Sequence, residues 1–370
     1  MLSLARGSRR RSDRPARSLR QAVLAAGLSY AGAALGYALL RPLLGEREGW
    51  IELADDLEPW AYLPAPALGA LGAALGSGRL TAAGAALAAT FGLRWGYRFL
   101  RRAPAPERAT ADLKVMTFNT LAWQREGHDL ADSILKASPD VVGLQEIGPK
   151  GAGYLVRTLG DRYPYHYKTR SATSSGAAVL SRYPLRDAES FRVSESGHFW
   201  QRMTIDSPFG PITCLNVHTR IPHVVTTHRG RSCFRSPLAF HAERRRREVR
   251  YLIELLEEID GPVIVCGDFN MTERSQDHRL LSGRLRDAFK AAGVGLGNTF
   301  PCWGAFPRIF PAPFPMLRLD YVWHSDHFLP AWAYRGDAGR SDHHPIVVGL
   351  RWIGVTQEPS GTIPLAASTV

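Results

Sequence analysis

Glu146, Asp268, Asp320, Asp342 and His343 lie far apart in the chain, yet each belongs to a short motif beside an apolar, β-branched run. The motifs are VVGLQEI (Val141 to Ile147), PVIVCGDFN (Pro262 to Asn270), RLDYVWHS (Arg318 to Ser325) and SDHHPIVV (Ser341 to Val348); a further run, LKVMTFNT (Leu113 to Thr120), carries Asn119 near its end. Runs of this composition predict strands. Hard oxygen donors and an imidazole delivered from several strand ends are the groups that hold Mg²⁺ and a phosphate together. The residue types therefore predict a metal-dependent phosphoesterase. In GDFN, Asp268 and Asn270 point the same way, because residues two apart on an extended segment share a face.

The strands need helices to cover them. Leu130 to Ala137 is amphipathic, and Ser138-Pro139-Asp140 turns the chain into the next strand. Arg244 to Ile259, with apolar Val249, Leu252, Ile253, Leu255 and Leu256, repeats the pattern before Asp260-Gly261-Pro262. Alternation of this kind predicts an α/β domain over residues 112–352. Arg220 to His241 and Pro301 to Pro315 lack periodicity and predict long loops beside the site. The segment 353–370 reads as a disordered tail. The four cysteines are widely spaced and indicate neither zinc nor a disulfide framework.

The formal charge of +12 suggests a polyanion partner, but its distribution weakens that inference. Residues 1–111 hold 15 Lys+Arg against 8 Asp+Glu, and the rest hold 31 against 26. Residues 1–20 form a basic tail with seven arginines, and the uncharged run Gln21 to Leu40 is long enough to cross a bilayer. Within a membrane segment at 21–102, an acidic loop (Glu46 to Glu58) precedes two more apolar runs, Pro59 to Gly78 and Leu80 to Leu93. Arg94, Trp95, Tyr97 and Arg98 then look like residues snorkelling at an interface. Three spans, with the arginine tail cytoplasmic, predict an external catalytic domain in a multi-pass cell-membrane protein. Two spans would leave it cytoplasmic; the alternatives are a cleaved signal peptide for the first run and a buried or interfacial hairpin for the Ala/Gly-rich remainder. Residues 103–111 read as a linker.

The ordered set TFNT, LQEI, VLSRYPL, NVHT, GDFN, LDYVW and SDHHP resembles the endonuclease/exonuclease/phosphatase superfamily over roughly residues 112–351. The resemblance implies a four-layer sandwich of two mixed β-sheets flanked by helices. It places Asn119, Glu146 and Asp342 at Mg²⁺ (Mn²⁺ is an alternative), with Glu146 the direct ligand. Asp268 would orient and deprotonate the attacking water, and Asn270 would donate to the phosphoryl oxygens. His343, oriented by Asp320, would contact the scissile phosphate, and His218 would assist the leaving group. Simpler roles exist for several of these residues. Asp320 has Arg318 nearby as a partner, His218 would suit a core position, and Arg244 to Arg247 reads as a solvated helix start.

The layout resembles bacterial membrane-anchored members of the superfamily. It implies a phosphomonoester, phosphodiester or lipid pyrophosphate substrate at the lipid bilayer. A nuclease acting on DNA or RNA is the enzymatic alternative, disfavoured by the modest charge of the catalytic part. A catalytically silent binding module is the non-enzymatic one.

Overall fold

The computed structural model describes residues 9–44, 49–100, 110–121, 128–169, 176–222, 225–228, 231–234, 242–302 and 314–354. Most of the predicted linker, the centre of the second predicted loop and nearly all of the predicted tail lie outside these.

The N-terminal part contains α1 (Arg9–Leu40), α2 (Gly49–Leu57), α3 (Ala65–Ala74), α4 (Gly78–Phe91) and α5 (Tyr97–Leu100). Within it, Ser18–Leu43 is long and apolar enough to cross a membrane, with mean hydropathy 1.6, and corresponds to the first predicted span. The other two predicted spans are corrected. A 3-10 turn at Glu58–Tyr62 and Pro64 interrupt the second run, leaving the 10 residues of α3. At 1.5 Å per residue these reach about 15 Å, half of a hydrocarbon core. α4 turns back on α3 and packs so closely that a Cβ on Gly84 would lie 2.5 Å from the nitrogen of Gly69. The multi-pass expectation is not supported: among the described residues one helix is both long and apolar enough to cross a membrane.

The acidic loop and the interfacial arginines are also reassigned. Asp55 is buried and takes Arg41 Nη2 at 2.6 Å. Arg94 Nε lies 2.7 Å from Glu58 Oε1, and Arg98, 1% exposed, pairs with Glu273 rather than snorkelling.

The remainder runs β1 (Leu113–Asn119), α6 (His128–Ala137), β2 (Val141–Gln145), α7 (Pro149–Leu159), β3 (Tyr165–Lys168), β4 (Ala178–Ser181), β5 (Leu185–Phe191), β6 (Trp200–Ser207), β7 (Gly210–His218), β8 (Val225–His228), β9 (Arg231–Phe234), α8 (Glu243–Glu257), β10 (Val263–Asp268), α9 (Gln276–Ser282), β11 (Arg286–Asp287), α10 (Ala288–Ala292), β12 (Asp320–His324), β13 (Phe328–Arg335) and β14 (Ile346–Trp352). Two six-stranded mixed sheets form, ordered β13-β14-β1-β2-β4-β3 and β11-β12-β10-β7-β6-β5. The predicted loop Arg220 to His241 differs in part, because β8 and β9 pair as a hairpin.

Alternation along the strands builds three apolar layers. Val115, Val141 and Val179 of the first sheet meet Cys214, Ile264 and Cys266 of the second between the sheets. Met116, Phe118 and Leu144 face Leu130 and Ile134 of α6 and Leu155 of α7 on one outer side. Leu215, Val265 and Trp323 face Val249 and Leu252 of α8 on the other. Burial on both faces is why these strands read as nearly continuous apolar runs. The predicted four-layer sandwich is the fold observed.

Below the second sheet's edge, Asp287 organises a buried charge cluster. It accepts from Arg318 Nη1 and Nη2 at 2.9 and 2.7 Å and from the Lys290 amide at 3.0 Å, and lies 3.1 Å from His278 Nε2. Burial raises its pKa, but Arg318 and His278 outweigh this and hold it below the ordinary carboxylate range. A depressed pKa stabilises the fold above the unfolded-state value of about 3.9, and the contribution is lost as pH falls below it. Asp287→Asn should cost about 3 kcal/mol at neutral pH. Scanning calorimetry should show a lower Tm whose gap to the parent chain closes below about pH 4.

Candidate active site

Three adjacent strands of the second sheet deliver one row of side chains. Asp268 ends β10 and sits in register with His218 at the end of β7 and with Asp320 at the start of β12. The first sheet contributes Asn119 at the end of β1 and Glu146 one residue beyond β2. Asn119 Nδ2 crosses between the sheets, donating to Asp268 Oδ2 at 2.9 Å and to Glu146 Oε1 at 3.2 Å. His218 Nε2 lies 3.5 Å from Asp268 Oδ2 and 3.7 Å from Glu146 Oε1. Glu146 and Asn270 take φ of 53° and 46°, a conformation costing non-glycine residues about 1–2 kcal/mol. Asn270 N donates to Asp268 Oδ1 at 2.9 Å, and its side-chain amide donates one N–H to Thr219 O at 2.9 Å.

The loop before β14 closes the site. Ser341 Oγ donates to Asn119 O at 2.7 Å and accepts from His343 N at 3.1 Å, fixing the loop to the end of β1. His343 Nδ1 then lies 2.8 Å from Asp320 Oδ2, and Nε2 lies 3.9 Å from Asp268 Oδ2. Asp320 thus pairs with His343, while Arg318 is taken by Asp287 and Glu273. His344 turns away, with Nδ1 3.0 Å from Gly336 O.

These distances set the charges. Burial disfavours the His343 imidazolium, but Asp320 and Asp268 outweigh it and raise its pKa to about 10. Burial lifts Asp268 to about 7, with Asp320 adding to the rise and His343 opposing it. Asp342 is raised by burial, with His343 opposing and Glu146 adding. Burial, with His343 and Arg220 nearby, lowers His218 to about 3. His218 is therefore a neutral imidazole here and gains a proton only where added negative charge raises its pKa.

Several residues escaped the sequence reading. His198 stacks on His218 at 3.8 Å between ring centroids, from an irregular segment that carries no motif. Gln145 Nε2 donates to Asn216 Oδ1 at 2.6 Å, and Asn216 Nδ2 donates to Gln201 Oε1 at 2.9 Å, a polar floor joining both sheets. Amides inside apolar runs were its signal. Arg245 is not solvated: it is 1% exposed, with Nε donating to Asp277 Oδ2 at 2.9 Å and Nη1 to Asn270 O at 2.5 Å.

The donor set suits a hard divalent cation. Asp268, Asp320 and His343 bring two carboxylates and an imidazole within 4.8 Å of one another, and with His343 protonated the carboxylates are the groups able to ligate. Among the described residues, His218 Nε2 and Asp320 Oδ1 are buried without a hydrogen-bond partner. Such orphaned groups beside the carboxylates of Glu146 and Asp342 fit a cation that keeps some of its water.

Residues 116–343 match the Endonuclease/Exonuclease/phosphatase family. The chain belongs to this family. Its members are metal-dependent and typically hydrolyse phosphate esters. The chain is 28% identical over 242 residues to the uncharacterized protein YbhP of Escherichia coli, an alignment covering 59% of this chain and 85% of the relative. Two solved structures resemble it in fold, each with a TM-score of 0.50 and fully covered. The endonuclease/exonuclease/phosphatase from Bacteroides vulgatus is 19% identical and covers 66% of this chain. The endonuclease/exonuclease/phosphatase family protein from Leptotrichia buccalis is 18% identical and covers 65%.

The raised pKa of Asp268 gives cation binding a definite sign. Protonation removes its negative charge, so affinity is full above about pH 7 and falls as pH drops through that value. Calorimetric titration with Mn²⁺ should show roughly tenfold weaker binding per pH unit below the transition. Asp268→Asn should flatten this dependence, and Glu146→Gln should weaken binding at every pH by about 10–100-fold. Equal affinity on both sides of neutrality would remove Asp268 from the cation's surroundings.

Proposed function

We propose that the chain is a membrane-anchored, Mg²⁺-dependent hydrolase acting on a phosphate ester at a bilayer surface: a phosphomonoester, a phosphodiester or a lipid pyrophosphate. The observation that carries the chemistry is one cleft holding Asp268 between the Asn119–Glu146 pair and the His343–Asp320 pair. Mg²⁺, or Mn²⁺ in its place, held by Glu146 with Asn119 and Asp342 alongside, would polarise the phosphoryl group and offset its charge. Asp268 accepts a proton from the attacking water as the new P–O bond forms, with a pKa matched to neutral pH. His343, kept cationic by Asp320, donates from Nε2 to a phosphoryl oxygen as charge develops there. The second N–H of the Asn270 amide is available for the same task. His218, protonated once the substrate's charge arrives, hands its proton to the departing oxygen as the ester bond breaks.

Three features support a substrate at the bilayer. Ser18–Leu43 suits a single span, and its arginine-rich flank favours the cytoplasm, leaving the catalytic domain outside. Among the described residues, the six most exposed large apolar side chains all belong to the N-terminal part: Leu93, Leu100, Leu43, Leu39, Leu19 and Leu63. A cavity of about 800 Å³ lies between the N-terminal helices and the catalytic domain, lined by Trp60, Tyr62, Phe91, Phe99, Leu296 and Trp332 among others. Its size and apolar lining suit one acyl or prenyl chain.

The test is turnover by the full chain in detergent micelles with Mg²⁺, against long-chain lipid phosphates, a soluble bis-aryl phosphodiester and plasmid DNA. Lipid phosphates should be hydrolysed best, and His343→Ala should lower kcat by about 10²–10⁴-fold. Ala88→Trp, which fills the cavity, should slow lipid turnover while sparing the aryl diester. Preferential cutting of plasmid would make the protein a nuclease, and no turnover of any substrate would make it a silent module.

A further inference from the structure

The segment after Asp268 is held from outside the catalytic sandwich. Four of the five residues 270–274 meet the N-terminal helices, three directly and Asn270 through Arg245. Arg245 Nη1 donates to Asn270 O at 2.5 Å while its Nη2 pairs with Glu52. Thr272 Oγ1 donates to Asp56 Oδ1 at 2.5 Å. Glu273 pairs with Arg98, and Arg274 Nε lies 3.0 Å from Glu58 Oε2. Glu52 and Asp56 are four apart on α2 and so share a face. The groups are mostly buried: Arg98 and Arg245 are each 1% exposed, and Glu58 is 2%.

We propose that the N-terminal helices are a positioning element of the active site, in which Glu52, Asp56, Glu58 and Arg98 clamp residues 270–274 and thereby set Asn270 and the neighbouring Asp268. The proposal rests on the role given above to those two residues. The physical case is the placement of the partners. A buried guanidinium needs carboxylates, and Arg245 has Asp277 on the catalytic side and Glu52 on the N-terminal side. Removing Glu52 takes away the nearest N-terminal carboxylate and leaves Asp277, with a weaker pull from Asp56, to hold the charge, which loosens its hold on the Asn270 carbonyl. Asn270 sits at a φ of 46°, in the left-handed region that asparagine tolerates, so its placement rests on the contacts that hold the loop. The clamp also reaches the membrane helix, because Arg41, in the last turn of the span-length stretch, grips Asp55 beside Asp56. None of the four clamp residues touches the cleft, so they act by holding the loop.

The experiment uses the full chain in detergent micelles with a soluble substrate, bis(4-nitrophenyl) phosphate, and Mg²⁺. Glu52→Gln and Asp56→Asn should each lower kcat by about 10–100-fold with KM changed less than about threefold, since displacement of a reacting group acts on turnover. Glu52→Asp should be intermediate, and Asp132→Asn, a removal of exposed charge elsewhere, should have no effect. Hydrogen exchange should rise in peptides covering residues 268–276 and stay unchanged in β1 and β2. Parent-like kcat and exchange in both variants would overturn the proposal. So would a rise in exchange throughout the catalytic domain in both, which would make the seam a folding requirement. If the parent chain hydrolyses no phosphate ester, the functional reading fails, and the local exchange pattern alone decides whether the helices hold the loop.

Discussion

Asn119 lends one amide nitrogen to two carboxylates, Asp268 and Glu146, that stand on different sheets. Acids brought so close repel one another unless donors stand between them, and the sandwich supplies those donors from its own backbone ends. Asp268 receives the Asn119 amide on one oxygen and the Asn270 backbone N–H on the other, and faces the imidazolium of His343. The cationic form of His343 depends on Asp320, whose place is fixed by register with Asp268. Ladder register, sheet spacing and the protonation of one histidine are thus a single problem. The sheets can approach closely beneath this point because position 143 is glycine: a Cβ there would lie 2.4 Å from Cys266 Sγ.

Buried arginines serve the other side of the second sheet in a comparable way. Arg318, Arg245 and Arg98 are each 3% exposed or less, and each is paired with buried or nearly buried carboxylates. Buried pairs add little net stability over apolar packing, but losing one partner leaves an uncompensated charge. Their contribution is therefore geometric. Together they hold the path from the end of β10 through α9 to β11, which leads out of the active site.

The catalytic side of this architecture was legible because motif and strand coincide. Leu113 to Thr120, Val141 to Ile147 and Pro262 to Asn270 contain β1, β2 and β10, and their polar ends meet at the candidate site. Arg244 to Ile259 contains all but the first residue of α8. The failures share a cause: charge and hydropathy are local in sequence, whereas their meaning is set by partners on other elements, some more than a hundred residues away. Glu52 looks like loop acid until Arg245 is placed beside it, and Arg98 looks interfacial until Glu273 is. Hydropathy likewise cannot tell a span from a short hairpin. Pro64 and Gly76, which has a φ of 62°, divide the second run, and packing of α3 on α4 uses its small residues. His198 had no signal at all, since its importance lies in stacking on another ring.

A flexible tether and a docked seam have different consequences for an enzyme at a membrane. A tether confines the domain near the surface but lets its cleft face any direction, so confinement raises substrate concentration without orienting the site. Here the path from the span-length helix runs through Arg41 to Asp55, along α2 to Glu52 and Asp56, and into residues 270–274 through Arg245 and Thr272. The steps on either side of α2 are ion pairs or hydrogen bonds. The catalytic domain is then held against the N-terminal helices, and the aromatic cavity opens at that seam. Coupling of this kind is reciprocal: whatever docking does to order the Asn270 loop, a ligand that orders the loop must return to the docking. Under the proposed clamp, a substrate held in the cleft would therefore tighten the seam.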